Sequence, residues 1–218
     1  MIKERKGAIL IISGPSGCGK STLLKEVYKD IDDYYFSIST TTRAPREGEV
    51  NGVDYFFVTK EEFEKDINNG DFLEYAKVHD NYYGTSLKPI NKALDESKLV
   101  IFDIDVQGHE IVRKKLSSIT TSVFITTPSL EVLESRLNSR NTDSIEIIEK
   151  RIKNAKGEVE YFQDYDYLII NDDLQTAAKQ LVCVANITRI KSKLFEKNRV
   201  VSNWLKKYII TSSIFLNP

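Results

Sequence analysis

Ala8-Ile9-Leu10-Ile11-Ile12-Ser13-Gly14-Pro15-Ser16-Gly17-Cys18-Gly19-Lys20-Ser21-Thr22 is an apolar run that ends in a glycine-rich turn and a lysine. Ala8 to Ile12 shows no alternation of polar and apolar side chains. A short β-branched run of that kind predicts a strand buried on both faces, as in a parallel sheet. Ser21 to Lys29 follows as a helix, with Leu23, Leu24 and Val27 on one face. Between them, Gly14 to Ser21 fits the pattern G-x-x-x-x-G-K-[ST] at every fixed position. Glycines let backbone N–H groups converge on phosphate without obstruction by Cβ. The start of the following helix adds unpaired N–H groups and the positive end of its dipole. The candidate triphosphate-binding residues are therefore Gly14, Pro15, Ser16, Gly17, Cys18, Gly19, Lys20, Ser21 and Thr22. Lys20 reaches the β- and γ-phosphates and Ser21 ligates Mg²⁺. Cys18 occupies a variable slot and lines the loop.

Working outward, Leu99 to Asp105, Ser122 to Ile125 and Tyr167 to Ile170 read as further buried strands. Helical stretches alternate with them: Pro89–Ser97, Glu110–Leu116, Ser129–Arg140, Ile145–Tyr161 and a last amphipathic helix from 174 to about 197. This alternation predicts an α/β fold with a doubly wound parallel sheet. A strand at Tyr35–Ser39 leads into residues 37–88, where short aromatic strands (Tyr55–Val58, Phe72–Val78, and one near Tyr82-Tyr83) break the rhythm. That stretch reads as an inserted mixed α+β subdomain. Its helix, Lys60–Asn68, carries a capping box from Thr59 and Glu62.

The 218 residues suit one compact domain with insertions. The 31 basic and 32 acidic side chains nearly cancel, which argues against a general nucleic-acid binder, so phosphate recognition must be local. The two cysteines, Cys18 and Cys183, do not make a disulfide framework. The charged start of the chain lacks the apolar core of a signal peptide, and no run reaches the roughly 18–20 apolar residues of a membrane span. The expectation is a cytoplasmic protein with no membrane partner.

A phosphate-binding loop does not separate a hydrolase from a kinase, so the remaining polar residues matter. Asp103 and Asp105 close a buried strand, where a carboxylate next to the loop orders Mg²⁺ and its waters; a helix-capping aspartate is the alternative, and Asp105 suits either. In Thr40-Thr41-Thr42-Arg43-Ala44-Pro45-Arg46, two arginines flank a proline-stiffened bend, and guanidinium forks grip phosphate bidentately. Tyr55 and Tyr83 add hydroxyl donors. Glu74 supplies an acceptor for the N1–H and N2–H₂ donors of guanine, a pair adenine lacks. Taken singly, a surface arginine, a packed tyrosine and a solvated glutamate are the commoner fates of such residues.

Together the segments Phe36 to Tyr55, Phe72-Leu73-Glu74-Tyr75-Ala76, Asn81-Tyr82-Tyr83-Gly84-Thr85, Asp103-Ile104-Asp105-Val106-Gln107-Gly108 and Ile169-Ile170-Asn171-Asp172-Asp173 strongly resemble the guanylate kinase family, in order, from about Gly7 to Leu181. The resemblance implies a P-loop core (7–36, 89–127 and 160–197), a GMP-binding insert (37–88) and a helical lid (128–159), all within one domain over 7–190, followed by a tail (198–218). It implies guanine contacts from Ser39, Glu74 and Thr85. It implies a phosphate grip from Arg43, Arg46, Tyr55 and Tyr83, with Asp103 near the nucleotide and Mg²⁺. Arg136, Arg140 and Arg151 become lid arginines that neutralise charge during transfer; an ordinary charged helix is the alternative. ATP would be the donor, and GMP, with dGMP also accepted, the acceptor. The rival readings are a P-loop hydrolase or switch, a non-catalytic guanylate-kinase-like module that binds proteins, and a kinase for another monophosphate.

The chain departs from the family pattern at Asn141, where glycine is usual after the lid arginine, and in the tail, whose role is left open between a strand or helix packed on the core and an oligomer contact. Trp204 is assigned to packing as well. His79 and His109 have no metal-spaced partners and are given no ligand role. Oligomeric state is left open.

Overall fold

β1 (Ala8–Ser13) is buried along its whole length, as its unbroken apolar run requires. In this computed structural model, which describes residues 5–78, 80–139 and 144–214 and the side chains through 205, β1 lies at the centre of a five-stranded sheet. β7 (Leu99–Asp103) pairs with it on one side and β8 (Thr120–Thr126) on the other, both parallel. β2 (Tyr34–Phe36) flanks β7, and β9 (Tyr167–Ile170) flanks β8. The order β2-β7-β1-β8-β9 sends the chain in opposite directions on the two sides of β1. The strand ends around β1 therefore form the crevice in which open α/β sheets bind ligands.

The two-residue period of a strand builds two cores from one sequence. Leu10 and Ile12 of β1 and Leu99 and Ile101 of β7 enter a cluster with α1 (Lys20–Val27), α5 (Leu130–Asn138), α6 (Ile145–Val159) and α7 (Leu174–Thr188). Ile9 and Ile11, with Val100 and Phe102, enter the opposite cluster, under α3 (Leu87–Asp95) and α4 (Val106–Leu116). Each such side chain contributes roughly 1.5–3 kcal/mol by leaving water. Acceptor side chains at the N-cap set several helix starts: Ser86 takes the Lys88 N–H, Asp105 that of Gly108, Ser129 that of Val132 and Asp173 that of Thr176.

A second, four-stranded sheet stands apart, in the order β4-β3-β6-β5. β3 is Thr40–Thr41, β4 Phe56–Phe57, β5 Phe72–Val78 and β6 Asn81–Ser86. Helix α2 (Lys60–Asn68) crosses it and starts at the expected capping box of Thr59 and Glu62. It buries Phe63 between Phe72 and Tyr82, with ring centroids 4.2 and 5.1 Å away. The insert thus has its own aromatic core.

Several boundaries differ from expectation. The strand predicted at Tyr35–Ser39 stops at Phe36, where the chain leaves the main sheet, and pairing resumes at Thr40 in the second. The predicted strand over Leu99–Asp105 ends at Asp103, because Asp105 caps α4, which starts at Val106 rather than Glu110. The helix predicted from 174 to about 197 stops at Thr188, and a further helix begins only at Lys197. Buried Thr188 donates its hydroxyl back to the Val184 carbonyl, 2.7 Å away, at the last turn of α7. A 3₁₀ turn at Ser192–Leu194 then buries Leu194, whose carbonyl accepts the Lys6 N–H at 3.0 Å, before α8 (Lys197–Ile214) begins. Tertiary burial ends α7 where no glycine or proline marks the stop. Packing for Trp204 is also overturned: it is 81% exposed on α8. No described helix is long and apolar enough to cross a membrane.

Candidate active site

The glycine-rich loop leaves β1 at Gly14, whose φ is +147°. A Cβ there would lie 1.9 Å from the Ile125 carbonyl oxygen of β8, so only glycine lets the loop pass over the sheet. Gly19, at φ +94°, is the N-cap of α1, and a Cβ on it would come within 2.6 Å of Asn171 Nδ2. Lys20 bends back over the loop and donates to the Gly14 carbonyl at 2.6 Å. The loop, Asp103, Asp105 and Glu158 line a cleft of about 380 Å³.

Three side chains from distant sequence brace the loop. Asn171, directly after β9, donates to the Cys18 carbonyl at 2.8 Å. Arg136 of α5 donates to the same carbonyl at 3.3 Å and to the Asn171 carbonyl at 2.9 Å. Arg151 of α6 donates to Ser16 Oγ at 3.1 Å. The structure thus brings two of the three expected lid arginines onto the loop; Arg140 and Asn141, like His79, lie outside the described residues.

Burial pushes the Asp103 carboxyl up, with the Lys20 charge opposing it, and pushes the Cys18 thiol up as well. Asp105, read as either ligand or cap, accepts the Gly108 N–H at 2.8 Å and also lines the cleft. Glu158 was not singled out from sequence. It sits on α6, and burial raises its carboxyl while Lys20 pulls it down. Its signal is spatial: nothing in a charged helical stretch marks which glutamate faces the cleft.

The insert residues form a second cluster, none of which lines the loop cleft. Arg43 donates from Nη2 to both carboxylate oxygens of Glu49 at 2.8 Å and from Nη1 to the Ala44 carbonyl at 2.7 Å. Its guanidinium carbon lies 5.5 Å from the Tyr55 ring centroid and 5.7 Å from that of Phe57. The Arg43 pKa rises chiefly through the Glu49 hydrogen bond, with Tyr83 adding to it. Glu49 also takes the Arg46 N–H at 2.7 Å, which leads the causes holding its carboxyl below the usual range. The Arg46 residue itself is exposed. Tyr55 and Tyr83 meet edge to face at 6.2 Å. Glu49 is a second residue that sequence reasoning missed, although its place three residues after Arg46 is the signal of a local turn.

On the other side of β6, Thr85 sits opposite Glu74 and donates its hydroxyl to Glu74 Oε1 at 2.5 Å. Ser39 precedes β3, and its carbonyl accepts the Phe56 N–H at 2.9 Å. Strand pairing of Thr41 with Tyr83 and of Thr40 with Gly84 brings the Arg43 and Glu74 groups onto one sheet. Asp103, expected near the nucleotide and Mg²⁺, lines the loop cleft.

Comparison with known proteins agrees with this geometry. A guanylate kinase family profile matches residues 6–186. The chain is 56% identical to a guanylate kinase of Sulfurimonas denitrificans over 203 residues, 93% of this chain and 98% of that one. It is 50% identical to a guanylate kinase of Helicobacter hepaticus over 91% of this chain and 99% of the relative. Among solved structures, a guanylate kinase from Anaplasma phagocytophilum superposes with a TM-score of 0.66 at 31% identity, covering 91% of this chain and 95% of its own. The chain belongs to the guanylate kinase family.

Proposed function

We propose that this chain transfers the γ-phosphoryl group of ATP to GMP, giving ADP and GDP. The observation that carries the reading is the pairing of two half-sites: a loop with Lys20 for a triphosphate, and an insert with Arg43, Tyr55 and Tyr83 beside Glu74 and Thr85. A hydrolase has no use for the second half-site, and a non-catalytic module has no use for Lys20.

An oxygen of the GMP phosphate attacks the γ-phosphorus in line; the new P–O bond forms as the bond to the β-phosphate oxygen breaks. The attacking oxygen is already anionic, so no general base is required. Catalysis rests on positioning and on neutralising charge. Lys20, Arg136 and Arg151 serve the transferring group, as would Arg140. Arg43, Arg46, Tyr55 and Tyr83 hold the acceptor phosphate. Ser39, Glu74 and Thr85 read the base. Nothing in that set addresses the ribose 2′ position, so dGMP is accepted as well.

The oxygen donors Ser21 and Asp103 suit Mg²⁺, a hard cation that keeps waters and binds through one or two protein groups plus substrate phosphates. Among the described residues no group of three acidic, histidine or cysteine side chains could hold a metal alone, in keeping with an ion that arrives on the nucleotide. When bound, Mg²⁺ offsets charge on the β- and γ-phosphate oxygens.

The two clusters support a division into a core (7–36, 89–127, 160–197), an insert (37–88) and a lid (128–159). Closure of insert and lid would bring the half-sites together and exclude water. Residues 198–218 are assigned no catalytic part. Nucleotide metabolism of this kind belongs in the cytoplasm, with no nucleic-acid or membrane partner. The test is a coupled assay with ATP and Mg²⁺ and GMP, AMP, UMP or no acceptor. GMP-dependent formation of ADP and GDP is expected; phosphate release without acceptor would refute the reading.

A further inference from the structure

The strand that carries Glu74 is irregular at its root. Phe72 pairs with Ser86 and Glu74 with Thr85, so Leu73 is an extra residue with no partner on β6. Such a bulge re-aims the side chain that follows it and leaves the extra residue outside the ladder. Leu73 is 2% exposed, and its side chain packs in the main core with Ile9, Ile90 and Val112 rather than in the aromatic core of the insert. Its carbonyl accepts from Lys115 Nζ of α4 at 2.6 Å. Both the side chain and the carbonyl of this one residue are therefore held by the P-loop core, one position before the carboxylate assigned to guanine.

We propose that Lys115 is a positioning residue for base recognition: its hydrogen bond to the Leu73 carbonyl fixes the bulge and so aims Glu74. An exposed lysine usually bonds to little effect. Here the acceptor is a buried carbonyl outside the ladder, and leaving it unpaired is costly. Helix α4 makes the link between the two half-sites physical. Its first turn is capped by Asp105, which lines the ATP-side cleft, and its last turn carries Lys115. Eleven residues at 1.5 Å each make a rigid strut of about 16 Å. Thr85 then completes the setting of Glu74 from β6.

The inference rests on the guanylate kinase reading, and the test separates the two. ADP formation is followed against GMP, IMP and ATP for the native chain, Lys115→Met, Lys115→Arg and Lys114→Met. Lys114 is the neighbouring lysine, paired with Glu110 on the surface, and controls for loss of charge. Lys115→Met should raise KM for GMP roughly tenfold, the scale of one lost charged hydrogen bond, and lower the preference for GMP over IMP. KM for ATP should stay within about twofold, and Lys115→Arg should recover most of the loss. A Lys115→Met enzyme with native KM for GMP and native base preference overturns the proposal. So does a parallel rise in KM for both substrates, which would mark a purely structural role. A native chain without GMP-dependent turnover would instead overturn the function itself.

Discussion

Replacing Glu74 with glutamine tests base recognition with almost no change in shape. Glu74 accepts the Thr85 hydroxyl at 2.5 Å, and its residue is only partly buried, which leaves acceptor capacity for a ligand. An ionised carboxylate is an acceptor at both oxygens. It can therefore take the N1–H and N2–H₂ of guanine together. Glutamine keeps one acceptor and turns the other into a donor facing a donor. A hydrogen bond to a charged group is worth about 1.5–3 kcal/mol, so kcat/KM for GMP should fall by about 10²-fold. IMP, which has N1–H but no 2-amino group, gives the internal control. The native enzyme should prefer GMP over IMP by about 10- to 100-fold, and the variant should bring that ratio near one. Initial rates of ADP formation at saturating ATP, with each acceptor varied, supply the four constants. The melting temperature should scarcely change, since the Thr85 hydroxyl can still donate to the amide oxygen. An unaltered GMP-to-IMP ratio in Glu74→Gln would refute the assignment, whatever happened to absolute rates.

Lys20→Met should lower kcat by at least ~10²-fold without unfolding the chain, because the lysine donates only within its loop, to the Gly14 and Pro15 carbonyls; single-turnover transfer from ATP checks this. Gly19→Ala puts a Cβ 2.6 Å from Asn171 Nδ2 at φ +94°, and should cost about 1–3 kcal/mol, roughly 2–10 °C in Tm by calorimetry, along with ATP binding. Asp166 offers a pH test. Burial pushes its carboxyl up, but Arg113 at 2.8 Å and the Ser122 N–H at 2.9 Å outweigh that and hold it below the usual range. A depressed carboxyl stabilises above its unfolded pKa and loses that stability as the pH falls through the folded value. Asp166→Asn should thus lower Tm by a few degrees at neutral pH, about 1 kcal/mol, with the gap closing below roughly pH 3.8. Melting curves across that range decide it, and a gap that persists in acid would assign the loss to packing instead.

What the sequence made legible was local. β1 and its loop, the capping box at Thr59 and Glu62, and the burial of β1 on both faces all follow from the local sequence. Asp105 as a helix cap was open from sequence and needed only the Gly108 N–H three residues on. The parts that were hidden depend on contacts between remote segments. Asn171 meets Cys18 across 153 positions, and Lys115 meets Leu73 across 42. Glu158 differs from its helical neighbours only in facing the cleft. The break after Thr188 has no punctuating residue because burial of Leu194, not local propensity, ends the helix. Trp204 shows the reverse: a large apolar side chain implies burial, yet this one stands in water on α8.

The contact beneath Gly14 changes what the loop's residues can testify to. The forbidden neighbour of a Cβ at this position is the Ile125 carbonyl, a backbone atom of the adjoining strand, and not a nucleotide. A descendant of this chain that had abandoned phosphoryl transfer would still be obliged to keep glycine there, or else to pry β1 from β8. Lys20 carries no such architectural debt: its bonds run to the loop's own Gly14 and Pro15 carbonyls and serve nothing in the sheet. In any diverged copy the first glycine would therefore report only inheritance of the fold, while the lysine would report whether selection for chemistry had continued.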